Sequence, residues 1–210
     1  MAYAWYQLHC GARTGELAVG LQKCTLLTDL LLFGNEIGDV GLSHLVQALP
    51  HCASLSSLAL NANKFGENGV IQLAAVLPQC TSLTHLNLSN NTIGSEAMEM
   101  LAPALALCPK LSHLNLSFCI MYNYGLAFLN RVLPQCRSLT VLNIQWIGID
   151  RQVVEQLVHA LEQCPSLNYV NMKDNEIGEE GRRLLLPLEQ RTKGLRIEIY
   201  GGLQRYRRAR

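Results

Sequence analysis

Charge and aromatic rings are both scarce in this chain. Charged residues make up 16% of it and aromatic residues 6%, whereas 49% of the residues are apolar. That balance is on the apolar side for a soluble protein, and so few rings mean that the apolar content is aliphatic, with Leu dominant. No run of eighteen apolar residues occurs, which excludes a transmembrane helix. The opening stretch MAYAWYQLHCGARTG lacks the basic region and long apolar core of a secretory signal. A cytoplasmic location is therefore expected, with the nucleus as the alternative, unless the chain is a fragment that has lost such a signal.

Familiar catalytic signatures are missing too. There is no G-x-x-x-x-G-K-[ST] loop for nucleotide phosphates, no H-E-x-x-H zinc helix and no G-x-S-x-G nucleophile elbow. The cysteines form no C-x2-C pair of the kind that zinc sites use. An enzyme is not expected, and no cofactor or metal is called for. The formal net charge is only +1, but nine of the seventeen Lys and Arg residues lie between Arg182 and Arg210, beside Glu189 and Glu198 alone. The body is thus mildly acidic and the end basic.

What is present is a repeat. Leu27, Leu55, Leu83, Leu111, Leu139, Leu167 and Leu195 fall at every twenty-eighth position without exception. Three positions on stand Leu30, Leu58, Leu86, Leu114, Leu142 and Val170, and two beyond those Leu32, Leu60, Leu88, Leu116, Ile144 and Met172. The next fixed position reads Asn35, Asn63, Asn91, Cys119, Ile147, Asn175. A second apolar set runs from Leu17 through Leu45, Leu73, Leu101, Leu129 and Leu157 to Leu185. Self-similarity at such a period marks a stacked array rather than a globule.

The spacing dictates the local structure. LTHLNLSNN alternates apolar and polar residues, which predicts a short strand with its leucines inward. Leu101 and Leu105 lie one helical turn apart, so a helix follows. Gly41, Gly69, Gly125 and Gly181 are read as allowing a tight start to the helices, and Pro50, Pro78 and Pro134 as closing them. One strand plus one helix cannot bury its own apolar face, so the units must stack. The Asn carboxamide both donates and accepts, and can satisfy backbone groups left over where each strand ends. Cys119 does this weakly and Ile147 not at all, which predicts an irregularity across the fourth and fifth units. Cys24, Cys52, Cys80, Cys108, Cys136 and Cys164 recur with the same period at the helix ends. They read as reduced structural thiols in a reducing compartment.

The unit LTHLNLSNNTIGSEAMEMLAPALALC resembles the ribonuclease-inhibitor-like class of leucine-rich repeats, and the resemblance runs from Glu16 to about Tyr200. It implies an α/β solenoid: a horseshoe of 28-residue repeats with a concave parallel β-sheet and convex helices. The class includes ribonuclease inhibitor, the sensor tails of NOD-like receptors, Ran GTPase activators and tropomodulin-like actin regulators. Uniform units ending in Cys look most like a NOD-like-receptor repeat tail, and the basic ending RYRRAR departs from the acidic tail that a Ran activator carries. Residues 1–15 are expected to form a cap or a truncated repeat with no recognisable strand. Residues 16–200 form the repeat domain and 201–210 a basic tail. LRIEIY has its alternation shifted by one, so it should be a closing edge strand with Ile197 and Ile199 inward.

Function then falls to the outward residues of the concave sheet. Large rings on a rigid sheet give contact area at low entropic cost, which selects His85, His113, Phe118, Trp146 and Tyr169, flanked by Lys173 and Asp174. His85 and His113 should face the same way on adjacent strands, but two imidazoles without a third ligand make a poor metal site. The Asn column from Asn87 to Asn171 is either a polar platform or solvated consensus. The expected partner is another protein, with neither membrane nor nucleic acid involved, and the pattern specifies no oligomeric state. A non-catalytic scaffold or sensor is the first reading. The alternatives are a regulator of an enzyme, either an inhibitor or a small-GTPase activator, and a structural fragment whose site lies in missing units.

Overall fold

Three-residue strands make few hydrogen bonds each and helices of two or three turns are marginal in isolation, so order here must come from stacking. The computed structural model describes residues 3–5, 14–192 and 194–200. Strands and helices alternate through them: β1 Tyr3–Trp5, α1 Thr14–Leu21, β2 Asp29–Leu31, α2 Gly38–Ala48, β3 Ser57–Ala59, α3 Glu67–Val76, β4 His85–Asn87, α4 Ser95–Ala106, β5 His113–Asn115, α5 Tyr122–Val132, β6 Val141–Asn143, α6 Val154–Glu162, β7 Tyr169–Asn171, α7 Gly178–Arg191 and β8 Arg196–Glu198. All eight strands form one parallel sheet in chain order. The fold is a leucine-rich-repeat solenoid, with the sheet along the concave side of the horseshoe and the helices along the convex side.

Register advances by one full repeat from each strand to the next between β2 and β7. Asp29 lies beside Ser57, Ser57 beside His85, His85 beside His113, His113 beside Val141 and Val141 beside Tyr169. Both ends depart from this step. Tyr3 lies beside Asp29, so the first unit has a strand that no leucine pattern marks. Tyr169 lies beside Arg196, one position short of a full repeat, and this shift turns Ile197 and Ile199 into the core as a closing strand requires. The leucine columns meet between the layers, where Leu30, Leu58, Leu86, Leu114 and Leu142 are all at most 2% exposed. Each is worth roughly 1.5–3 kcal/mol relative to exposure, realised only when the next unit covers it.

The glycines act differently from expectation. Gly41, Gly69, Gly125 and Gly181 lie inside the first turns of α2, α3, α5 and α7 rather than ahead of them. Their role is close approach: a Cβ on Gly41 would lie 2.5 Å from Ile37 Cγ2, and one on Gly125 2.6 Å from Met121 Cβ. Pro50, Pro78 and Pro134 each open a 3-10 turn directly after α2, α3 and α5. Cys24, Cys52, Cys80, Cys108, Cys119, Cys136 and Cys164 are all free thiols. Burial, with the neighbouring thiols adding to it, pushes Cys108 and Cys164 up to about 12, so they are unreactive. Cys10 and the basic tail 201–210 lie outside the described residues.

A ladder of asparagines joins the units. The Asn35 N–H donates to Asn63 Oδ1 and the Asn63 N–H to Asn91 Oδ1, each at 2.9 Å. Asn63 Nδ2 donates to Leu32 O in the preceding unit at 2.8 Å and to Leu60 O in its own at 3.0 Å. Asn91 and Asn175 repeat this arrangement. The interruption falls where the sequence predicts it. Cys119 Sγ takes the amide's place, donating to Leu88 O at 3.2 Å and accepting from the backbone of Asn91. Ile147 is fully buried and offers nothing, so Leu116 O takes the Cys119 N–H at 3.3 Å instead. The following unit is rerouted: a 3-10 turn, Arg151–Val153, precedes a short α6, so α5 packs partly on that turn and partly on α6.

Replacing Asn63 with Ala removes the carboxamide while leaving two carbonyls and an N–H buried. Asn63→Ala is expected to lower the unfolding free energy by about 2–3 kcal/mol, measured as a lower urea midpoint at unchanged m-value.

Candidate protein-binding surface

The outward side chains of the sheet form two columns, one at the first strand residue and one at the third. His85 and His113 occupy the first column on adjacent strands. Their rings stack with centroids 4.1 Å apart and planes 15° apart. Each Nδ1 is engaged by the hydroxyl just before it, Thr84 Oγ1 at 2.8 Å and Ser112 Oγ at 2.9 Å, so the pair is held as a flat plate. Burial, and then the charge of His85, holds His113 below the ordinary imidazole value. Among the described residues no three His, Cys, Asp or Glu side chains gather as a metal would need.

The Asn column has a local structural role. Asn87 and Asn115 accept with Oδ1 from the N–H and hydroxyl of Ser89 and Ser117. Asn143 and Asn171 accept from the N–H of Gln145 and Lys173 at 3.1 and 3.2 Å. Each carboxamide therefore caps the exit of its own strand, which favours the consensus reading of these residues over a dedicated platform.

Phe118 and Trp146 sit at the strand-to-helix turns of β5 and β6. That turn position is left-handed in every unit from β2 to β7: Gly34, Ala62, Asn90, Phe118, Trp146 and Asp174 all have φ between 50° and 69°. Gly and Asn suit such a conformation, whereas a bulky L-residue costs about 1–2 kcal/mol there. Phe118 and Trp146 are nevertheless 44% and 40% exposed, with ring centroids 5.7 Å apart. Ile120 and Tyr122 continue the apolar patch, being exposed and flanking Gly148, whose missing Cβ would meet Tyr122 Cδ1 at 3.1 Å and Ile120 Cγ2 at 3.5 Å.

Tyr169 and Lys173 converge on a residue that a search for rings does not select. Tyr169 OH donates to Glu198 Oε2 at 2.9 Å, Lys173 Nζ pairs with the same oxygen, and Arg196 Nη2 donates to Oε1 at 2.6 Å. The hydrogen bonds from Lys173 and Tyr169 hold Glu198 below the usual carboxylate range, while Glu198 raises Lys173. Asp174 is tied to Gln145, whose Nε2 donates to Asp174 Oδ2 at 2.8 Å. Glu198 is legible in principle, because correcting LRIEIY for its one-residue shift places it in the Asn column. Six of the seven selected residues thus form three groups, and Asp174 stands apart on Gln145. The imidazole plate lies at the start of the strands, the aromatic pair lies five residues on at their exits, and the charged cluster lies at the C-terminal edge.

Comparison with known proteins agrees with this architecture. A family profile described as "Leucine Rich repeat" matches residues 23–46, 79–102 and 163–186. Among solved structures the chain is similar to "Leiomodin-1 Actin-Binding Site 2 (ABS2)", with a TM-score of 0.51 and 16% identity over 95% of each chain. No curated protein matches the sequence. The chain folds as a leucine-rich-repeat solenoid, and at 16% identity the likeness to leiomodin is one of fold.

Two outcomes follow from the geometry. In Trp146→Gly, relief of the left-handed backbone, about 1–2 kcal/mol, offsets only part of the lost ring pairing and of the lost burial of a side chain that is 40% exposed, together about 3–4 kcal/mol. Its urea midpoint should correspond to a loss of about 1–3 kcal/mol, and Trp146→Ala, which keeps the strain, should lose about 1 kcal/mol more; equal stability of the two would show that the left-handed position carries no strain. The second concerns pH. His113 protonates less readily folded than unfolded, so its stacking is intact above the unfolded value near 6.5 and stability is lost as pH falls through the lowered folded value. Thermal melts at pH 7 and pH 5 should show a smaller acid-side drop in His113→Ser than in wild type.

Proposed function

We propose that the chain is a non-catalytic protein-binding module that engages its partner through the concave sheet and the aromatic rim at the exits of β5 and β6. The observation that carries this reading is the Phe118–Trp146 pair. Two large rings stand partly exposed at left-handed positions that Gly or Asn would fill more cheaply. Strain retained at a surface position is a signature of function rather than of folding. Large, rigid rings of this kind are the side chains that anchor protein interfaces. The imidazole plate and the Glu198 cluster supply polar flanks on the same sheet.

Within this reading, a sensor or scaffold of NOD-like-receptor type fits best, supported by the uniform 28-residue units and their terminal cysteines. A reducing compartment, the cytoplasm or the nucleus, is inferred from the free thiols. No helix among the described residues is long and apolar enough to cross a membrane, and the partner is taken to be a protein. The leiomodin-1 segment of similar fold is an actin-binding site, and its partner is thus of the protein class proposed here.

The test is quantitative affinity purification from cells with wild type, Phe118→Ala plus Trp146→Ala, and His113→Ala. The aromatic double variant should lose its specifically enriched partners at least tenfold while remaining folded at the temperature of the assay. An unchanged partner set in a folded double variant would remove the rim from consideration.

A further inference from the structure

The convex side carries a second candidate, independent of the concave reading. Between α5 and α6 the helix layer opens into a groove of about 550 Å³, within the range of roughly 300–1,000 Å³ that ligand sites occupy. Its floor includes Ala127, Ala160 and Pro134, and its rim Arg131, Glu155 and His159. Asn130 lines it from α5 and is only 8% exposed, yet neither its Nδ2 nor its Oδ1 has a hydrogen-bond partner. A buried carboxamide with both ends unsatisfied costs roughly 1–3 kcal/mol per group, and such groups call for an explanation wherever they persist.

The repeat sharpens the anomaly. At the corresponding position the other units have Ala18, Val46, Ala74, Ala102, Val158 and Leu186. Asn130 is the one polar residue in an apolar column, and it lines the groove between α5 and α6. An aliphatic side chain there would satisfy the fold without penalty.

We propose that this groove binds an extended peptide segment, whose main-chain amide pairs with the Asn130 carboxamide. A carboxamide presents one donor and one acceptor side by side, and an extended residue presents its own N–H and C=O to the same side. Both orphaned atoms are satisfied at once by that match. The Ala and Pro floor accepts a small aliphatic side chain. Arg131 and Glu155 give the rim both signs of charge, which suits a peptide rather than a phosphate-bearing nucleotide. The two Asn130 atoms are shielded from solvent, so the segment reaches them by displacing rim side chains, all of which are exposed.

The test uses the full chain, isotopically labelled, and three probes followed by NMR: N-acetyl-trialanine-N-methylamide, its analogue with the central amide replaced by an ester, and adenosine monophosphate. The blocked peptide should shift the Asn130 side-chain resonances together with those of Ala127 and Ala160. Binding should weaken at least about tenfold for the ester and in Asn130→Leu, one hydrogen-bond pair being worth about that factor. Asn130→Leu should melt no lower than wild type, since it removes unpaired polar atoms. Absence of peptide shifts, equal binding of the ester, peptide binding undiminished in Asn130→Leu, or binding of the nucleotide in place of the peptide would each overturn the proposal. So would a lower melting temperature of Asn130→Leu, or cross-relaxation showing a long-lived water on the Asn130 amide that the peptide does not displace. The ester comparison is made on the wild-type chain, so its outcome is independent of whether the variant folds.

Discussion

Everything in this solenoid depends on what happens to the backbone where each three-residue strand ends. The strand exit leaves carbonyls and an N–H inside the stack, beyond the reach of water, and a buried polar group without a partner is costly. The Asn carboxamide answers both needs across two units at once, since Asn63 reaches back to Leu32 O while its oxygen receives the Asn35 N–H. Because that oxygen serves only the unit stacked directly before it, the ladder favours neighbours one repeat apart, although β5 and β6 keep the same step at Ile147, where packing alone holds it. The leucines supply most of the energy. They are interchangeable aliphatic volume, however, and the asparagines make one stacking offset better than its alternatives.

This explains which parts of the molecule could be read in advance. Inward positions are constrained by packing and recur in every unit, so Leu30, Leu58 and Leu86 announce themselves through periodicity, as do the inward isoleucines of β8 once its shift is noticed. Outward and lateral contacts have no such signature. Stacking of His85 on His113 depends on rotamers set by Thr84 and Ser112. Convergence of Tyr169, Lys173 and Arg196 on Glu198 depends on a strand pairing whose offset differs from the rest. β1 escapes the pattern because YAW has no leucine and its pairing with β2 falls short of a full repeat. The periodicity puts Gly41 and Gly125 in the right units but suggests the wrong task, since a periodic glycine looks the same whether it serves a turn or a close contact.

Asn130 shows the opposite case, a signal that is present and needs the right column to be visible. Its neighbours along the repeat are all Ala, Val or Leu. A single polar residue in an aliphatic column conflicts with the local rule, and such conflicts tend to concentrate where something other than stability is served. Phe118 and Trp146 are the same kind of exception on the other side of the molecule, being bulky residues in a left-handed column that contains Gly34 and Asn90.

These exceptions share a location. Phe118 leads from β5 into α5 and Trp146 from β6 toward α6, while Asn130 faces the gap between those two helices. Between them lie Cys119 and Ile147, the two positions where the ladder loses its carboxamide. At Cys119 a thiol substitutes in kind, with one donor and one acceptor, so the ladder stays continuous between the units of β4 and β5. At Ile147 nothing substitutes, and the chain beyond it leaves the common path, inserting a 3-10 turn before a short α6. A ladder that is continuous on either side of this boundary and relaxed at it lets both surfaces depart from consensus together. The concave rim then displays its rings and the convex layer opens its groove without disturbing the units that hold the array in register.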